Sequence, residues 1–189
     1  TLLHYGILTA LRHGYTPGRK MMDSALALAP ELKPSYISGL DRIAKVLNET
    51  GAVSFAEAIY RDIVSLQPDD LQHVVSLAEV LTEKGEPEAA VDLYKTILNK
   101  APESPYSAGK LDELLKKTAS AEERLVCWRG ICSVQPDSSV PWLYLGMALQ
   151  DAGDPGQAHD ALKNAYENDR NNAAAMLHYG ASAAIHNAR

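Results

Sequence analysis

With two cysteines among its 189 residues, the sequence excludes a fold built on disulfides. Cys127 and Cys132 stand five apart, on different sides of one expected helix, so they are not expected to bridge. Cys132 takes a place filled by Val64 and Leu98 elsewhere and reads as a core thiol. Long apolar runs are also lacking. None approaches the ~20 residues needed to cross a bilayer, so direct membrane insertion is not expected. No signal peptide is recognisable, which favours the cytoplasm, with the periplasm as the alternative compartment. The chain opens at Thr1 with no initiator methionine, so something is expected to precede it.

Positive charge is scarce. The formal net charge is −6, and no helix carries a basic stripe, so no nucleic acid is expected as partner. Lys110, Lys116 and Lys117 come nearest, but Asp112, Glu113, Glu122 and Glu123 surround them, as on a mixed solvated face. Catalytic constellations are missing as well. There is no glycine-rich phosphate loop, HExxH, CxxC or nucleophile elbow. His178 and His186 are eight apart and could share a helical face, but local sequence supplies no third ligand. The expectation is a chain with no enzymatic activity, no cofactor and no metal.

What is present is a period. Pro68, Pro102 and Pro136 stand 34 residues apart. Twelve residues before each proline come Ala56, Ala90 and, as an exception, Arg124. Eight before come Tyr60, Tyr94 and Trp128; five before come Ile63, Ile97 and Ile131. Gly51 and Gly85 mark a turn 17 before the first two, with Ala119 in the third. Upstream of each turn, apolar residues fall at helical spacing, as in Leu40, Ile43 and Leu47 or Val74, Leu77 and Leu81. Forward, Trp142, Leu145, Gly146, Leu149, Gly153, Ala158 and Ala165 hold the frame, and Met176, Tyr179 and Gly180 restart it. Backward, Pro30 fits once Lys33 to Tyr36 are treated as an insertion. Independently of any template, Leu3-His4-Tyr5-Gly6 recurs as Leu177-His178-Tyr179-Gly180.

Repeats of this length are helix pairs that cannot each bury an apolar face alone. The expected units are 1–32, followed by a 33–36 insertion, then 37–70, 71–104, 105–138 and 139–172, with a terminal helix over 173–187, all in one domain. Asp154-Pro155, Ser104-Pro105 and Thr16-Pro17 read as N-caps followed by proline at the first helical position.

The residues Leu77-Ala78, Leu81, Gly85, Ala90, Tyr94, Ile97 and Pro102 resemble the tetratricopeptide repeat family, and the resemblance covers essentially the whole chain. It implies an all-α, right-handed superhelix of stacked antiparallel helix pairs, whose A helices line a concave groove. It also implies a scaffold that binds a partner protein or peptide. The groove would then hold Asp41, Arg42 and Lys45; Gln72 and Glu79; Tyr106 and Lys110; Leu143, Tyr144 and Met147; and Leu177 and His178. Its middle reads as polar with mixed sign, its C-terminal end as apolar. Chaperone-binding members of the family use a Lys/Asn carboxylate clamp. Here the clamp positions read Asp41, Lys45, Ser76, Tyr106 and Lys110, with only Lys110 matching in charge, so a chaperone tail is not the expected partner.

Two other readings stand beside this one. The opening residues, Thr1-Leu2 and His4-Tyr5-Gly6, resemble the start of a magnetosome-associated scaffold of the same family, and apolar ends could build a homo-oligomer. Alternatively, the chain is a non-catalytic domain of a larger enzyme or polysaccharide-assembly protein. One unit also breaks the pattern. Elsewhere small residues on the two helices face each other, as Ala44 and Ala56 or Gly146 and Ala158. At the corresponding places the fourth unit has Asp112 and Arg124, which predicts an ion pair in place of close packing.

Overall fold

The computed structural model describes residues 2–186. They form eleven α-helices and one short 3-10 turn, with no strand among the described residues. The chain divides into two compact units, 1–86 and 87–189.

The first unit holds α1 (Leu2–His13), α2 (Tyr15–Leu28), α3 (Lys33–Glu49), α4 (Val53–Leu66) and α5 (Leu71–Lys84). The backbones of α1 and α2 touch, because Gly18 has no side chain. A Cβ there would lie 2.3 Å from the Ala10 backbone nitrogen. Met22, Leu40, Ile43, Ile59 and Ile63 are wholly buried and make the core. Residues 33–36 form the first turn of α3, which makes it the longest helix at 17 residues.

Polar contacts, two of them ion pairs, fasten this unit between helices. Arg19 of α2 donates to Asp62 of α4 at 2.7 Å and lies 5.6 Å above the Tyr36 ring of α3. Lys84 of α5 reaches Glu57 of α4 at 2.7 Å. Hydrogen bonds from Lys84 and then Arg61 hold the Glu57 carboxyl below the usual carboxylate range.

The second unit holds α6 (Pro87–Lys100), α7 (Pro105–Thr118), α8 (Ala121–Val134), α9 (Ser139–Asp151), α10 (Pro155–Asn168) and α11 (Ala173–His186). The expected end of the terminal helix at 187 lies outside the described residues. Gly146 brings α9 against α10, where a Cβ would meet Leu162 at 2.6 Å. The A-to-B turns at Gly51 and Gly153 use left-handed backbone, with φ of 81° and 79°. The α7–α8 turn has Ala119 instead, with an extended φ of −120°. There Ser120 starts α8 with a capping box: its side chain accepts from the Glu123 N–H, while Glu123 accepts from the Ser120 N–H.

Ser104 and Asp154 cap α7 and α10 through their side chains, each followed by proline at the first helical position. Thr16 does not cap α2. That helix starts two residues earlier, after Gly14 at φ 103°, and Pro17 falls inside its first turn. A proline is tolerated there because first-turn N–H groups have no intrahelical acceptor.

Candidate protein-interaction surface

In the first unit, the expected groove residues come from α3 and α5. Arg42 and Gln72 are exposed. Asp41 is half-buried and already engaged: Lys45 sits 2.7 Å away and the Tyr60 hydroxyl donates to it at 3.4 Å. Burial, with the Asp41 charge next, pushes the Tyr60 hydroxyl up to about 12, so it stays a donor at neutral pH. Beside this pair runs a cleft between α3 and α5, lined by Lys45, Asn48, Ser76, Glu79 and Glu83 among others. Asn48 donates to Glu83 across it at 2.6 Å. Glu49 also lines it, so three carboxylates face one ammonium group. The expected mixed sign is in fact acid-rich, because Glu83 and Glu49 join a surface on which sequence spacing had counted only Asp41 and Glu79.

In the second unit, α7 and α9 bring Tyr106, Lys110 and Tyr144 onto neighbouring helices. Tyr106 is 51% exposed, with the Lys110 ammonium 5.8 Å above its ring. Tyr144 is half-buried and stacks on the wholly buried Trp128, with centroids 5.1 Å apart and planes at 19°. Gly109 makes room for it, since a Cβ there would lie 3.2 Å from the Tyr144 hydroxyl.

Leu143 is not a groove residue. It is 6% exposed and packs with Leu162, Ala165 and Ala175, with Met147 half-buried against the same cluster. The cause is that α9 is covered by α11 as well as α10: Leu143 meets Leu162 and Ala165 of α10 and Ala175 of α11. Val140, also expected in the groove, is buried too. On α11, His178 is half-buried and Leu177 is 71% exposed. The side chain of His186 lies outside the described residues.

Beneath the tyrosines lies the ion pair. Arg124 donates to both Asp112 oxygens, Nε at 2.7 Å and Nη2 at 3.0 Å. The Trp128 indole N–H donates to the same carboxylate at 2.9 Å, and Lys116 stands 3.2 Å from it. The free Nη1 of Arg124 reaches Asp151 of α9 at 2.8 Å. That bond holds the Asp151 carboxyl below its ordinary range. The Trp128 ring on which Tyr144 stacks is therefore anchored to this polar cluster. Sequence reasoning found the pair and missed Trp128, Lys116 and Asp151, which fold brings in from one turn and one repeat away.

Among the described residues no His, Cys, Asp and Glu group could hold a metal ion, and no helix is long and apolar enough to cross a membrane.

The profile of the tetratricopeptide repeat family matches residues 52–108 and 143–188. No curated protein matches the chain by sequence. Among solved structures, the chain is similar to a double mutant of MamA RS-1, at 14% identity and a TM-score of 0.50, over 80% of this chain and 85% of that one. It is likewise similar to the MamA protein, at 15% identity and a TM-score of 0.50, over 89% and 88% of the two chains. YrrB, described as a tetratricopeptide protein with an unusual peptide-binding site, shares 18% identity at a TM-score of 0.47, over 86% and 85%.

Proposed function

The chain belongs to the tetratricopeptide repeat family, and from that premise we propose that it is a non-catalytic scaffold which binds a partner protein or peptide on its A-helix faces. The observation that carries this reading is the platform of Tyr106, Lys110 and Tyr144. An exposed tyrosine under a lysine, beside a second tyrosine locked by stacking, offers rigid amphipathic area at low entropic cost. The acid-rich α3–α5 cleft adds a preference for basic side chains in the segment that meets the first unit.

The test is capture of a partner by crosslinking to the purified chain, followed by titration of that partner against Tyr106→Ala, Arg42→Glu and Glu79→Lys. Tyr106 and Arg42 are exposed, so their replacement leaves the fold intact. Tyr106→Ala should weaken binding about tenfold or more, the scale of one lost aromatic anchor. Unchanged affinity in all three variants, with unchanged circular dichroism, rejects the A-helix faces as the site.

A second reading, self-assembly, is favoured by α11. Met176, Leu177 and Ile185 are 50%, 71% and 54% exposed, and nothing lies within 4 Å of where a Gly180 Cβ would be. Light scattering of the purified chain and of Leu177→Asp decides it. A monomer at every concentration rules it out.

A further inference from the structure

The second unit carries another cleft, whose lining includes none of Tyr106, Lys110 and Tyr144. It is about 500 Å³ and runs between the B helices α8 and α10. Its floor is apolar: Cys132, Trp142, Leu145, Leu149 and Ala161. Comparison with the preceding repeat explains why it is open. Counting back 34 residues, Cys132 and Ala161 correspond to Leu98 and Cys127. Leu98 is wholly buried, and α6 and α8 approach each other more closely than α8 and α10 do. Two smaller side chains in the later repeat therefore leave a trough where the earlier one is filled.

The lips have opposite character. On α8 stand Arg129 and Ser133, four residues apart; on α10 stand Asp160 and Asn164, also four apart. Arg129 spends one N–H on Gln157 at 3.0 Å and keeps the rest of its fork. Asp160 and Asn164 have no partner among the described residues. An amide offers both a donor and an acceptor, which matches the backbone of an extended chain; a helix satisfies its own backbone and has no use for it.

We propose that this B-helix cleft is a second peptide-binding site. Its occupant is an extended segment of a partner protein with one large apolar side chain seated over Cys132 and Leu149. An acidic residue of that segment faces Arg129, a basic residue faces Asp160, and its backbone bonds Asn164. The site is independent of the A-helix faces, so a scaffold of this kind holds two segments at once.

The probe is a random library of linear decapeptides, selected on the purified Tyr106→Ala chain, which lacks the anchor of the platform, and then titrated as individual labelled peptides. Selected peptides should share an apolar residue flanked by opposite charges. Ser133→Trp, which fills the trough from an exposed lip, should lower their affinity about tenfold or more. Arg129→Glu with Asp160→Lys should select the reversed charge order. The parent chain with Tyr106 restored, and Leu177→Asp, should bind them equally well. The proposal is overturned if no consensus is enriched, if Ser133→Trp binds the selected peptides as well as the parent, or if Leu177→Asp abolishes them.

Discussion

Replacing Asp112 with alanine should be among the most damaging single changes in the chain. The side chains of Arg124 and Asp112 are 7% and 5% exposed, so neither charge can fall back on water. Asp112→Ala strands two guanidinium N–H groups and the Trp128 indole N–H at once. Breaking a buried pair by removing one member costs about 3–5 kcal/mol. Arg124 keeps Asp151, whose side chain is 57% exposed, so the lower end, about 3 kcal/mol, is expected. Arg124→Ala should cost less, about 2 kcal/mol, because Asp112 retains Trp128 and Lys116. In the double variant no charge is left stranded, so its loss should be about 3 kcal/mol, not the sum, a coupling of about 2 kcal/mol. Urea unfolding followed by tryptophan fluorescence measures this. Both tryptophans, Trp128 and Trp142, lie in the unit that contains the pair. A coupling within about 0.5 kcal/mol of zero would refute the reasoning, since that is the scatter of independent sites.

Three further outcomes are expected. Glu57 and Asp151 have depressed carboxyl pKa values, so their contribution is full above the unfolded carboxyl range and is lost as pH falls through the folded values. Stability should therefore drop from about pH 5 downward, and Glu57→Gln should flatten that slope in acid unfolding curves. Gly18→Ala should cost about 1–3 kcal/mol, because its neighbour is backbone that cannot yield. Gly180→Ala, with open space around it, should gain up to about 1 kcal/mol of helix propensity, and thermal melts of the pair distinguish packing from propensity. Burial pushes the Cys132 thiol up to about 12 and raises Cys127 too, so a thiol reagent at pH 8 should label both slowly when native and promptly in denaturant. Rapid native labelling would contradict that burial.

Much of the fold was legible because its signals are local. A turn glycine, a closing proline and a capping serine each act within one turn of chain, and the period repeats them. The co-variation of Asp112 and Arg124 was legible for a related reason: the period says which two positions meet. Legibility ended where a third element intervenes. Leu143 is shared between α10 and α11, and nothing in the local pattern of α9 announces that. The sequence pattern puts Tyr144 on the outward face of α9 but does not announce a ring clamped on Trp128. The α8–α10 cleft is a deficit of volume, visible only when Cys132 and Ala161 are set against Leu98 and Cys127. The cap of α2 was misread because glycine can begin a helix with no side-chain signature at all.

The guanidinium of Arg124 belongs to α8 but is held by carboxylates of α7 and α9. In a repeat array, cooperativity is the strength of the coupling between neighbours relative to the stability of each. A charge shared by three consecutive helices makes local opening of any one of them expose the others' unpaired groups. Helices α7 to α9 should thus exchange their amide hydrogens as one block. Helix α11, which leaves Met176, Leu177 and Ile185 exposed, should fray on its own at lower free energy. The part of the second unit that carries the tyrosine platform is then also the part that opens last.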